Sequence, residues 1–168
     1  MISLRQPKLL LTLARELQLD WTSTASLFGS YYIGRRAALR KLLPNTVVVD
    51  VPNWGRLPLR TNSVDHTLLS RTFVRQDYRL EVTGVRRILD LGANIGMATV
   101  YLSRLFPHAE IACVEPSPHN IPLLKRTIAL NGLRARVFEA AVGADSGTID
   151  LNITEHPECN SVYPVKGS

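Results

Sequence analysis

The chain has 168 residues, of which 45% are hydrophobic and 20% charged, and its formal net charge at neutral pH is +6. This length suits one ordinary globular domain that buries a core. Two cysteines, Cys113 and Cys159, exclude a disulfide framework, and no apolar run approaches the length of a membrane span. The first residues carry no signal-peptide pattern, so we expect a reducing, cytoplasmic compartment and no transmembrane segment.

The positive charge is concentrated near the N-terminus. Lys and Arg outnumber Asp and Glu by seven to two in residues 1–43 and by five to four in residues 44–85, and they balance at eight each in residues 86–168. This excess is typical of a solvated helix face, or of a basic surface for an anionic partner or for self-association. No aromatic residues alternate with the basic ones, so nucleic acid is not expected as a partner.

The N-terminal segment, residues 1–43, is predicted to be helical and basic. Leucines recur there at three- and four-residue steps, namely Leu9, Leu10, Leu13 and Leu17. Asp20 or Thr22 is expected to cap a second helix that continues through Tyr31, Tyr32 and Leu39.

Residues 44–85 are predicted to form a hairpin and a lead-in helix. A β-branched run at 46–51 and a short strand at 56–60 flank the turn residues 52–55. A helix is expected over residues 65–74, with Ser63 or Asp65 near its cap.

From residue 86 onward strands alternate with helices. The pattern predicts strands at 87–91, 110–115, 135–141 and 148–153, and helices at 96–105 and 117–131. Such alternation is typical of an α/β protein with a parallel sheet and covering helices. Because such a sheet usually has five to seven strands, we expect residues 86–168 to be the first part of a longer, Rossmann-like domain.

The turn after the first of these strands is the most informative motif. Asp90, Gly92 and Gly96 form an acid-x-Gly-x-x-x-Gly spacing, in which the glycines allow the backbone to pass close to a ligand. The helix beginning near Gly96 directs its amino end at the same place, which favours a carboxylate or phosphate. A dinucleotide fingerprint would need glycines where Asn94 and Met97 stand, so the spacing favours S-adenosylmethionine. Asp90 is expected to help organise the ammonium group of that cofactor.

Two later strands also end near acidic residues. Glu115 is a candidate for binding the ribose hydroxyls, a use of a strand-end acid that NAD-binding proteins share. Glu139 is a candidate contact for the adenine amino group, and the backbone at Ala140 and Ala141 is an equal candidate. The histidines are scattered without metal spacing, so no metal site and no catalytic base can be assigned.

Several motifs together resemble the FkbM family of S-adenosylmethionine-dependent methyltransferases. They comprise the segments LDLGANIG at 89–96, VEPSPHN at 114–120 and AAVG at 140–143, with LRTNSVD at 59–65 and FVRQDY at 73–78 upstream. The resemblance extends over roughly residues 47–153. It implies a Rossmann-like domain that transfers a methyl group, usually to an oxygen of a sugar, glycolipid or natural product.

The resemblance also implies roles for individual residues. Asp90, Gly92, Ala93, Asn94 and Gly96 match the family's loop for the methionine end of the cofactor. The ribose acid corresponds to Glu115, followed by Pro116 and Ser117, and the adenine edge corresponds to residues 139–141. Tyr78 lies in a stretch that could close over the cofactor.

The chain departs from the family pattern in one respect. It has no strand with the family's Asp-x-Glu-Gly-Ala-Glu-like motif, and the strands that shape the acceptor pocket are missing. An alternative function is therefore a non-catalytic fragment, or a module that binds cofactor or partner. NAD-linked chemistry is a further alternative, disfavoured by Asn94 and Met97. The expected acceptor is a small molecule or saccharide.

Overall fold

The computed structural model describes residues 5–32, 44–61, 63–148 and 151. The chain divides into two compact units, Met1–Arg79 and Leu80–Ser168. None of the helices formed by the described residues is both long and apolar enough to cross a membrane.

The first unit begins with two helices, α1 (Arg5–Glu16) and α2 (Trp21–Tyr32). Asp20 caps α2, because one of its carboxylate oxygens accepts the Ser23 amide at 2.7 Å and the other accepts the Thr22 hydroxyl at 2.8 Å. These hydrogen bonds, the Ser23 amide first, hold the pKa of Asp20 below its ordinary value. The predicted continuation to residue 43 lies outside the described residues.

A hairpin and a short helix complete the first unit. Strands β1 (Thr46–Val51) and β2 (Gly55–Arg60) pair antiparallel, with Thr46 opposite Arg60, which confirms the predicted hairpin. Helix α3 (Asp65–Leu69) continues as a single π-helical turn over Ser70–Val74. The predicted helix therefore exists, but its second half has wider turns than an α-helix.

The second unit contains three parallel strands in the order β3 (Arg87–Leu91), β4 (Glu110–Val114), β5 (Ala135–Phe138). Helix α4 (Met97–Leu105) connects the first two strands, and helix α5 (Ile121–Leu130) connects the last two. The predicted α/β class with a Rossmann-like parallel sheet is confirmed.

Both connecting helices pack on one face of this sheet. Leu124 of α5 belongs to a buried cluster with Ile111 and Cys113 of β4, and the Thr99 hydroxyl of α4 lies 3.5 Å from the sulfur of Cys113. Side chains of the opposite face are exposed, with Leu89 at 62% and Phe138 at 50%. The burial of Cys113, predicted from its place in an apolar strand, is confirmed.

Several element boundaries differ from the prediction. Helix α5 begins at Ile121 rather than at residue 117, since residues 118–120 form a turn and Pro122 falls in the first helical turn. Strand β5 ends at Phe138 rather than at residue 141. Most of the predicted strand 148–153 lies outside the described residues.

Candidate functional site

Apart from Asp90, which lies in β3, the predicted site residues of the second unit lie beyond the carboxyl ends of its three strands. Residues 92–96 follow β3, residues 115–120 follow β4, and residues 139–141 follow β5. Because the strands are parallel, the three connections meet at one edge of the sheet, where open α/β sheets bind their ligands.

The connection after β3 is a tight loop with three left-handed residues. The φ angle is 75° at Gly92, 51° at Asn94 and 88° at Gly96. The amides of Gly92 and Ala93 both donate to the carbonyl oxygen of Val114, at 2.9 and 3.1 Å. The loop is thereby fastened to the end of the neighbouring strand.

The absence of a side chain matters for different reasons at Gly92 and at Gly96. A Cβ on Gly96 would lie 2.9 Å from Cδ1 of Leu124 and 3.2 Å from Cγ2 of Thr127, so Gly96 allows the loop to approach α5. A Cβ on Gly92 would have no heavy atom within 4 Å. Gly92 therefore borders open space, which a ligand can occupy.

The Glu115 carboxylate lies inside the site rather than at its surface. Glu115 is only 4% exposed. Its Oε1 accepts hydrogen bonds from the Ser117 amide at 2.9 Å and from Nδ2 of Asn120 at 3.1 Å. Its Oε2 accepts the Asn94 amide at 2.8 Å. Each carboxylate oxygen can accept about two hydrogen bonds, so Oε2 retains an acceptor position for a ligand hydroxyl.

Asp90, the last residue but one of β3, is held by a helix side chain. Its Oδ2 accepts the Thr99 hydroxyl at 2.6 Å, and within the described part of the chain no donor is assigned to Oδ1. Burial raises the pKa of Asp90, the Thr99 hydrogen bond lowers it, and the nearby negative charge of Glu115 raises it further. A cationic group at Oδ1 would relieve this cost of holding a charge.

Cys113 shares the environment of Asp90. Because Thr99 uses its proton for Asp90, its oxygen can accept a hydrogen bond from the thiol. Burial, above all, raises the pKa of the Cys113 thiol. A buried neutral thiol has a packing function here and no nucleophilic one.

Sequence reasoning missed the threonines that hold the site. Besides Thr99, Thr127 of α5 donates its hydroxyl to the Ile95 carbonyl oxygen at 2.6 Å and is fully buried. Asn120 was likewise noted only as part of a motif, although it orients Glu115. A polar residue on the inward face of a predicted helix was the one available signal.

The predicted adenine edge is open to solvent. Glu139 forms an exposed ion pair with Lys125, at 2.7 Å from Nζ to Oε1. Ala140 is exposed and Ala141 half-buried, while Pro116 is half-buried and Ser117 is buried. Roles in ligand binding for these residues stay predictions.

Tyr78 belongs to the first unit, where it is 44% exposed. Its predicted role over the cofactor stays a prediction. Two grooves lie elsewhere in the second unit, along residues such as Arg87, Glu110 and Arg134, and neither includes Asp90, the two glycines or Glu115. Within the described ranges, no three His, Cys, Asp or Glu side chains are grouped so as to hold a metal ion.

No family model matches the chain. The chain is 37% identical over 70 residues to methyltransferase sdnD of Sordaria araneosa, which covers 42% of this chain and 27% of that protein. It is 33% identical over 72 residues to the release factor glutamine methyltransferase of Geobacter sulfurreducens, covering 42% and 25% of the two chains.

The chain thus spans about a quarter of the length of these curated relatives. Among solved structures, a SAM-dependent methyltransferase from Agrobacterium tumefaciens aligns with a TM-score of 0.43 and 17% identity, over 58% of this chain and 33% of that one. The methyltransferase FkbM from Methylobacillus flagellatus aligns with a TM-score of 0.34 and 19% identity, over 83% and 33%. Similarity at this level adds nothing to what the parallel strands already show of the fold.

Proposed function

We propose that this chain supplies the cofactor-binding part of an S-adenosylmethionine-dependent methyltransferase. The observation that carries the proposal is the pairing of open space at Gly92 with two carboxylates, Asp90 and Glu115, at one sheet edge. The two curated relatives described above are methyltransferases by name, which supports the same class.

The chemistry of the donor set fits this cofactor from one end to the other. Oδ1 of Asp90 would accept a hydrogen bond from the ammonium group of the cofactor. The first amides of α4, which follow Gly96, would face the carboxylate group of the cofactor. Oε2 of Glu115 would accept a ribose hydroxyl, as strand-end acids do. Residues 139–141 would border the adenine.

When bound, the cofactor supplies a methyl group on a sulfonium, which is electrophilic. In the transfer reaction, this chain would fix the position of that methyl group. Alignment of the methyl donor with the acceptor accounts for much of the rate enhancement in such reactions. Asp90 and the loop 92–96 would fix the amino-acid end, and Glu115 would fix the ribose. Both groups would act by binding and orientation.

The acceptor belongs to the proposal as well. The resemblance to the FkbM family favours O-methylation of a hydroxyl on a sugar, glycolipid or natural product. Transfer of a labelled methyl group from S-adenosylmethionine to hydroxyl-bearing saccharides, with the matching deoxy sugars as controls, tests this acceptor class. Each control lacks one hydroxyl of its parent saccharide. Equal labelling of the parent and of every such control would contradict methylation of a particular sugar hydroxyl.

Cofactor binding is tested by a bulky substitution in the open space. Gly92→Val should abolish binding of S-adenosylhomocysteine, because its side chain would enter the proposed ligand position. The matched control is Gly84→Val, where a Cβ also has no neighbour within 4 Å and φ is likewise left-handed, at 70°. Wild-type affinity in the Gly92→Val variant would refute the assignment of the loop.

A further inference from the structure

Asn94 occupies a costly backbone conformation in the middle of the β3–α4 loop. Its φ angle of 51° lies in the left-handed region, which asparagine tolerates better than most residues but still disfavours. The loop is fastened before this residue by the Val114 carbonyl and after it by the Thr127 hydroxyl. Neither of these hydrogen bonds involves residue 94, so a third hydrogen bond is needed to fix the backbone conformation of Asn94 itself.

The Glu115 carboxylate accepts that third hydrogen bond. Its Oε2 accepts the Asn94 amide at 2.8 Å, across 21 residues of sequence. Hydrogen bonds donated to a carboxylate are roughly twice as strong as those between neutral groups, and this carboxylate is only 4% exposed. The hydrogen bond therefore offsets the cost of the left-handed conformation.

The donors on the other oxygen orient this carboxylate. The Ser117 amide and the Asn120 side chain both bind Oε1 and leave Oε2 directed at the loop. All three groups around Glu115 are donors, so a glutamine in its place would set its own NH2 group against at least one of them. The environment is thus built for an ionised carboxylate.

We infer that Glu115 is a positioning residue for the amino-acid end of the ligand, in addition to any contact with the ribose. It would hold Asn94, and with it the loop 92–96, in the shape that receives this end. The ligand part of this inference rests on the proposed function. The hydrogen bond to Asn94 does not, and it can be measured without ligand.

The first measurement is amide hydrogen exchange in the 168-residue chain without ligand. In Glu115→Gln the Asn94 amide should exchange at least roughly tenfold faster than in wild type, because loss of one hydrogen bond of ordinary strength corresponds to about that factor. Glu110→Gln is the matched control, since Glu110 is an exposed acid at the other end of β4. An unchanged Asn94 exchange rate in Glu115→Gln would overturn the inference.

The second measurement separates positioning from ribose contact. Adenosine and S-adenosylhomocysteine share the ribose, but only the latter has the amino-acid end. If Glu115 positions the loop, Glu115→Gln should lower the affinity for S-adenosylhomocysteine by a factor roughly tenfold larger than the factor by which it lowers the affinity for adenosine. Equal losses for the two ligands would mean that Glu115 acts through the ribose alone, which contradicts the inference.

The outcomes distinguish this inference from the proposed function. If wild-type chain binds neither ligand, the proposed function fails, while the exchange rate of Asn94 still decides whether Glu115 holds the loop. If Glu115→Gln does not fold, Glu115→Asp replaces it, because the carboxylate is kept but shortened by one methylene. Asn94 exchange in Glu115→Asp should then lie above the wild-type rate, and an unchanged rate would overturn the inference.

Discussion

Gly92 and Gly96 show how two identical residues in one loop serve different purposes. Both have left-handed φ angles, but only Gly96 is enclosed, by Leu124 and Thr127. The sequence motif treats them alike. Their difference follows from the position of α5, which no spacing of glycines reveals.

Substitution by alanine should separate the two glycines. We expect Gly92→Ala to cost about 1 kcal/mol of unfolding free energy, from left-handed strain alone. Gly96→Ala should cost about 1–3 kcal/mol more, because its methyl group must displace atoms of buried side chains. Urea unfolding of the two variants checks this, and equal losses would contradict the packing assigned to Gly96.

Asp90 combines a proposed binding function with a cost to stability. Burial raises its pKa in the folded chain above the unfolded value. The stability associated with a raised carboxyl pKa is fully present below the unfolded pKa, and it is lost as the pH rises through the folded pKa. At neutral pH, which lies above the unfolded pKa, Asp90 therefore lowers the stability of the fold.

Asp90→Asn should accordingly raise the free energy of unfolding at pH 7. The gain should shrink as the pH falls toward the ordinary aspartate pKa of about 3.9, where the wild-type side chain is neutral too. Affinity for S-adenosylhomocysteine should fall in the same variant. Asp145→Asn, at an exposed position, is the control; a gain at pH 7 that persists unchanged at pH 4 would contradict the explanation by burial.

At the scale of elements, the Arg60–Asp65 ion pair joins the end of β2 to the start of α3. Arg60 binds Asp65 through its guanidinium, with 2.8 Å between Nη2 and Oδ1, and through its main-chain amide, at 2.8 Å from Oδ2. Asp65 is 1% exposed. Arg60 and Asp65 therefore hold the end of β2 beside the start of α3, although the sequence alone shows these two residues only as part of a family motif.

Breaking the Arg60–Asp65 pair should lower the free energy of unfolding substantially. Asp65→Asn removes the buried carboxylate charge that Arg60 binds, and we expect a loss of about 3–5 kcal/mol in unfolding free energy. Asp77→Asn is the matched control, because Asp77 pairs with the exposed Arg71 and such pairs contribute less than about 1 kcal/mol. Thermal unfolding of both variants checks the difference, and comparable losses would show that the Arg60–Asp65 pair is not what holds β2 beside α3.

The extent to which the sequence predicts these elements depends on how local their causes are. Strands β3, β4 and β5 could be located because their apolar runs end at acids or glycines. The start of α5 could not, since it depends on a turn at 118–120 and on the hydrogen bonds around Glu115. The candidate site was predicted as a set of residues, whereas the burial of Glu115 and the action of Thr99 are products of tertiary packing.

For the whole molecule, the sheet of the second unit has two unequal faces. Helices α4 and α5 lie on one face, while Leu89 and Phe138 of the other are half or more exposed. Exposed apolar side chains on a sheet face favour association with other apolar surfaces.

Replacing both Leu89 and Phe138 should reduce the exposed apolar area of the sheet without changing the candidate ligand site. We expect Leu89→Gln/Phe138→Gln to bind less of a hydrophobic dye such as ANS than wild type, because the apolar area available to the dye is smaller. Affinity for S-adenosylhomocysteine should be retained within about twofold, since neither side chain is among the predicted site residues. Undiminished dye fluorescence would show that these two side chains are not the exposed apolar surface.

The proposed cofactor class is tested most directly by calorimetric titration of the 168-residue chain, with circular dichroism recorded on the same sample. S-adenosylhomocysteine and NAD are titrated separately, because both have the adenosine portion and only the former has the amino-acid end. The account predicts binding of S-adenosylhomocysteine and none of NAD at the same concentrations. A folded chain that binds neither ligand, or that prefers NAD, would contradict the assignment of the Asp90–Gly96 loop.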